Sequence, residues 1–222
     1  MSLLTRFTRS VVVLLCLSLG WSVTEAGAGS VSYIETYPLS PYLNSGTFNW
    51  TPASFPKFDL AGQCLTSVCV RVDGGLYGEI AFENYQNYPV TVNVAFTALI
   101  SVKRPSFSPI ITVQPLANTS DNLPSFDGVL DYGGASGRTY TGVNPTRSDS
   151  LCLTAASDLA LFSGAGTIGL PAEAVNLSSQ TGASSWSIGP KAYASVKVTY
   201  NYQECTVPAD RTSWGRIKQT YR

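Results

Sequence analysis

No histidine occurs anywhere in this 222-residue chain. Ser-His-Asp and Cys-His catalysis are therefore excluded, as is every metal site that uses imidazole. Carboxylates remain. Glycoside hydrolysis needs two facing acids at a defined separation. Glu79 and Glu83 lie four residues apart on the same face of one strand, about 13 Å at roughly 3.3 Å per residue. That is too far for either glycosidase geometry, and the pair reads as a solvated strand face. Asp127 and Asp131 flank a glycine-rich turn. Ca²⁺ favours oxygen ligands on such loops, but the spacing matches neither an EF-hand nor a repeat-toxin loop, and Asx-turns explain both aspartates more simply. Gly164-Ala165-Gly166 with Gly169 satisfies the G-x-G-x-x-G spacing. Leu170-Pro171 then breaks any helix that would receive a phosphate, so the dinucleotide reading fails.

Five cysteines are present. Cys16 falls in an N-terminal segment with the three parts of a secretion signal. These are Arg6 and Arg9, an apolar run from Val11 to Leu19, and small residues offering Ala26-Gly27-Ala28 for cleavage. The run is short of the roughly 20 residues of a spanning helix. Residues 1–28 are thus expected to be a signal peptide. The remaining Cys64, Cys69, Cys152 and Cys205 form an even set in an exported chain, which points to disulfides. Their spacing lacks the C-x-x-C pairs of a four-cysteine zinc site.

Charge excludes other partners. The chain holds 14 basic and 14 acidic residues. Losing Arg6, Arg9 and Glu25 leaves it one charge negative, which suits neither nucleic acid nor an anionic membrane. Hydrophobic residues make up 44% against 13% charged, enough for a substantial core. Aromatics are plentiful. Tyr33, Tyr37, Tyr42, Trp50, Tyr85 and Tyr88 fall in turn-rich stretches and are candidates for a sugar-stacking platform, with packing beneath loops as the competing reading.

The elements that must position these residues are strands. Residues 29–57, broken by Pro38, Pro41, Pro52 and Pro56, read as an extended lead-in with room for an edge strand. Val68, Val70 and Val72 alternate with Cys69 and Arg71. Asp73-Gly74-Gly75 reads as a turn, with Leu76, Ile80 and Phe82 on a return strand. Val90, Val92, Val94, Phe96, Ala98, Ile100 and Val102 mark the clearest strand, its other face (Thr91, Asn93, Thr97, Ser101) toward water. Shorter candidates follow at Ile110–Val113, around Cys152, at 167–174 and at 184–188, and Ala192 to Tyr202 close the domain. Ser157 to Phe162 suits one helical turn capped by Ser157 or Asp158. Many short strands without a sustained 3.6 period predict an all-β fold, a single antiparallel β-sandwich of jelly-roll or Ig-like type.

The succession resembles the choice-of-anchor E domain of bacterial exported proteins. The carrying residues are Phe58-Asp59 with Leu65 to Val68, Gly78 to Asn84, Phe126 to Gly137, Asp158 to Ile168, and Ala194 to Tyr202. The resemblance covers residues 55–202 and implies export and β architecture, with no activity and no binding residues. Members usually end in an anchor, whereas residues 206–222 contain no apolar helix and no L-P-x-T-G, so a released protein is expected. The cysteines look like an addition to the family pattern. If the first and last core strands are antiparallel neighbours, Cys64 meets Cys205 and Cys69 pairs with Cys152.

The chain therefore divides into a signal peptide (1–28), a lead-in (29–57), a sandwich (58–205) and a polar tail (206–222). The expected function is that of an exported, non-enzymatic module of the cell surface or extracellular matrix, structural or adhesive. It has no catalytic residue, cofactor or metal, and its possible partners are extracellular polysaccharide or other envelope components. The alternative is a carbohydrate-binding domain using loop aromatics, with calcium as its candidate ion.

Overall fold

In a computed structural model, residues 27–43, 46–182 and 185–205 are described. The expected signal (all but its last two residues) and tail lie outside them. Among the described residues, twelve strands form two antiparallel sheets facing each other across a single core, with one short helix beside them. The all-β sandwich expected from the alternation is the fold.

Each sheet is organised around one long strand. In the first, β3 (Gln63–Glu83) pairs along one side with β12 (Lys191–Glu204) and then β11 (Ser185–Ile188). Its other side pairs with β8 (Thr146–Leu153) and then β7 (Gly137–Val143). β1 (Gly29–Tyr37) lies outside β12. In the second sheet, β4 (Val90–Lys103) takes β10 (Ser179–Thr181) and β9 (Thr167–Asn176) on one side, and β6 (Leu116–Leu123) and β5 (Pro109–Val113) on the other. β2 (Thr47–Pro56) lies outside β9.

The period-2 pattern sets the faces. Val68, Val70, Val72, Leu76, Ile80 and Phe82 of β3 are buried, opposite Val92, Val94, Phe96, Ala98, Ile100 and Val102 of β4. β12 contributes Ala192, Ala194, Val196, Val198 and Tyr200. The outer face of β4 is less wet than alternation implies. Thr97 and Ser101 are buried, and Thr97 donates to the Pro115 carbonyl while Ser101 meets Thr112 Oγ1. A hydroxyl satisfied by a neighbouring strand is buried at little cost.

Three expectations need correction. Asp73-Gly74-Gly75 is no turn, because β3 runs through it without interruption. Neither glycine has a positive φ. Both answer to close approach: a Cβ on Gly74 would lie 2.7 Å from Val113 Cγ2 and 3.1 Å from Ile100 Cδ1 of the opposite sheet, and one on Gly75 would enter the Tyr193 ring. Glycine marks a crowded crossing here, its second use in strands. The 29–57 stretch does carry an edge strand, but it is integral rather than a lead-in: β1 and β2 each form an edge, one in each sheet, and Tyr37, Trp50 and Phe55 join the core. Helix α1 (Ala156–Phe162) is present, but its N-cap is Ala155 and makes no side-chain cap. Asp158 instead pairs with Arg104, Oδ1 to Nε at 2.6 Å and Oδ2 to Nη2 at 3.0 Å.

Two disulfides join Cys64 to Cys205 and Cys69 to Cys152. Adjacency of β3 and β12 brings the first pair together, and Cys69 lies directly opposite Cys152 in the β3–β8 register. This is the pairing anticipated from neighbouring first and last core strands.

Candidate functional site

The carboxylates read as one solvated face are divided by the fold. Glu79 is exposed, whereas Glu83 is wholly buried. Glu83 Oε1 accepts the Ser136 hydroxyl at 2.5 Å and Oε2 accepts the Tyr132 N–H at 2.8 Å. Beside it, the buried Asn84 donates to the carbonyls of Tyr88 and Pro124. Together they pin the 124–137 loop to the end of β3. Alternation alone could not reveal this, since the covering loop lies some fifty residues away.

The aspartates of that loop make Asx-turns. Asp127 Oδ1 accepts from Val129 N and Oδ2 from Ala135 N, while Asp131 Oδ1 accepts from Gly133 N. Those backbone donors, the Val129 N–H foremost, hold the Asp127 carboxyl below its usual range. Among the described residues no group of three or more acidic or cysteine side chains is placed to hold a metal. Gly164 and Gly166 adopt positive φ in the α1–β9 turn, and the chain then enters a strand.

The six singled-out aromatics do not form one platform. Tyr37 and Trp50 pack in the core, ring centroids 5.6 Å apart, with Trp50 Nε1 donating to the Pro38 carbonyl. Tyr33 sits edge-on to the buried Tyr200. Tyr85 packs against Phe126, 4.8 Å between centroids, with Tyr88 exposed on the same turn. Tyr37 also borders a hollow on the first sheet, and Tyr42 lines a substantial cleft.

That cleft has a volume of about 480 Å³ and is lined by Tyr42, Tyr77, Glu79, Thr141, Ser187 and Lys191, among others. Odd-numbered positions of β3 and β12 face outward, which places Tyr77, Glu79 and Lys191 on this side of the first sheet. Gly189 gives Tyr42 room, since a Cβ there would lie 2.7 Å from its ring. The Lys191 ammonium then sits 4.3 Å from the Tyr42 centroid, a cation–π contact. Tyr77 is 48% exposed, and its ring also borders a neighbouring hollow of about 520 Å³ that includes Tyr193. Among the described residues, the Glu79 carboxylate and the hydroxyls of Thr141 and Ser187 make no side-chain hydrogen bond or ion pair. The cleft thus offers aromatic surface together with unspent donors and acceptors. Tyr77, Thr141, Ser187 and Lys191 escaped the sequence reading. The legible signal was Tyr77 itself, a large aromatic on the polar phase of a strand.

No family model and no curated protein matches the chain. Among solved structures it is similar to that of the infectious bursal disease virus Gt strain (13% identity, 92% of this chain and 51% of that one, TM-score 0.23). It is also similar to that of the Gx strain (9%, 86% and 48%, TM-score 0.21), and to the VP2 subviral particle of the same virus (12%, 86% and 48%, TM-score 0.24). The chain spans about half the length of each of these.

Proposed function

We propose that this chain is an exported, non-enzymatic β-sandwich module of the choice-of-anchor E kind that adheres to extracellular polysaccharide through the Tyr42–Tyr77 cleft. The single observation that carries the reading is the exposed Tyr77 ring beside unspent polar groups at Glu79, Thr141 and Ser187, with the Lys191 ammonium held over Tyr42. A sugar presents an apolar ring face and a rim of hydroxyls, so it needs a π-surface and mixed donors and acceptors. One carboxylate and one ammonium balance each other, which favours a neutral glycan over an anionic one. Two disulfides support export. Calcium has no part in this reading.

Affinity electrophoresis of the exported chain through gels containing a soluble β-glucan, a galactan or a xylan tests the proposal. Retardation by at least one of them is expected, lost in Tyr77→Ala and weakened in Glu79→Gln. Equal mobility in all three gels, or retardation indifferent to both substitutions, would sink it. Trp50→Ala is no test of binding, because Trp50 belongs to the core.

A further inference from the structure

A sheet edge exposes a row of unpaired N–H and C=O groups, and proteins blunt such edges with proline, charge, bulges or brevity. Most edges of this sandwich are blunted in one of these ways. β2 carries Pro52 and Pro56 and shifts register between Trp50 and Ala53. β10 and β11 have three and four residues, and β5 has five, beginning at Pro109. β8 bears Arg147 and Asp149, and β7 bears Arg138. On β6, Asp121 is covered by the Tyr140 hydroxyl at 2.8 Å.

β1 differs. It pairs with β12 over nine residues without a register shift, and contains no proline, lysine or arginine. Among the described residues nothing pairs with its outer edge. Ile34, near its middle, is 61% exposed. Glu35 is its one charge.

We propose that β1 pairs antiparallel with β1 of a second copy of this chain, joining the two first sheets into one continuous sheet. The sequence of β1 is self-complementary about Tyr33. A two-fold axis there keeps all nine residues paired and preserves which face each occupies. Ser30 then meets Thr36 of the second copy, Ser32 meets Ile34, and Val31 meets Glu35. The two Glu35 carboxylates fall four rungs apart, about 13 Å along the strands, so the only charge on the edge does not oppose pairing. The near-neutral chain adds little long-range repulsion. Hydroxyl and β-branched pairs across the join are those that stabilise sheets. This inference is independent of the glycan reading, which concerns a different part of the sheet.

Sedimentation equilibrium of the exported chain, with its disulfides intact, tests the pairing. A dimer is expected, and replacing Ser32→Lys together with Ile34→Lys places ammonium groups opposite one another and yields a monomer with an unchanged far-ultraviolet spectrum. Should that variant fold poorly, cysteine trapping decides: Ser32→Cys mixed with Ile34→Cys cross-links rapidly, while either alone does so far more slowly. A native chain that stays monomeric across the accessible concentrations overturns the proposal. So does a dimer insensitive to the lysines, or equal cross-linking in all three cysteine samples.

Discussion

The buried carboxylate of Glu83 accepts the backbone N–H of Tyr132, 49 residues further along the chain, at 2.8 Å. Tyr132 has φ = 56°, a left-handed conformation that costs a non-glycine residue roughly 1–2 kcal/mol. The carboxylate offsets that cost and also takes the Ser136 hydroxyl. Glu83→Ala removes both acceptors and leaves a cavity, and is expected to destabilise the protein by about 3 kcal/mol. Urea denaturation checks the magnitude. Glu79→Ala, on the same face of the strand but exposed, is expected to change stability by less than about 0.5 kcal/mol.

Arg104 ties the end of β4 to helix α1 through both oxygens of Asp158, whose side chain is 13% exposed. The guanidinium hydrogen bonds hold the Asp158 carboxyl below its ordinary value. A depressed folded pKa contributes stability above the unfolded value near 3.9, and loses it as pH falls through the folded one. Arg104→Met should therefore cost about 2 kcal/mol at pH 7. The gap between variant and native protein should narrow below about pH 4, as thermal melts at stepped pH will show.

The two disulfides span 141 and 83 residues of sequence. Loops of that size restrict the unfolded chain strongly, and removing either bridge alone by paired Cys→Ser exchange is expected to cost about 3 kcal/mol. That corresponds to roughly 10 °C in Tm for a domain of this size. Differential scanning calorimetry of each variant gives the test.

Tyr37 and Tyr200 sit in the core, their hydroxyls donating to the carbonyls of Leu170 and Pro56. Burial pushes the Tyr37 phenol up to about 12 and moves Tyr200 upward as well. A raised folded pKa contributes stability in full below the unfolded value near 10, and that contribution is lost as pH rises toward the folded one. The protein is expected to weaken progressively above about pH 10. Ultraviolet titration should show the phenolate signal of these two rings only together with loss of near-ultraviolet dichroism.

Gly74→Ala directs a methyl group at Val113 and Ile100 where the sheets meet. Overpacking of this kind costs about 1–3 kcal/mol, measurable by guanidinium denaturation. A neutral or stabilising outcome would show that Val113 and Ile100 do not crowd this position.

Sequence alone determined the fold class and the faces of the strands, because alternation at period 2 states locally which side of a strand meets the core. It is legible at Val68–Val72, Val90–Val102 and Ala192–Tyr202. Cysteine number likewise announced disulfides. What sequence could not carry was anything decided between distant segments. Asp73-Gly74-Gly75 has turn chemistry, but whether a glycine bends the chain or admits a neighbour depends on what approaches it, here Val113 and Tyr193. Glu83 looks identical to Glu79 until a loop some fifty residues away closes over it. The cleft draws Tyr42, Tyr77, Thr141 and Lys191 from four separate stretches. Such sites arise from long-range contacts, and only the tertiary structure specifies those.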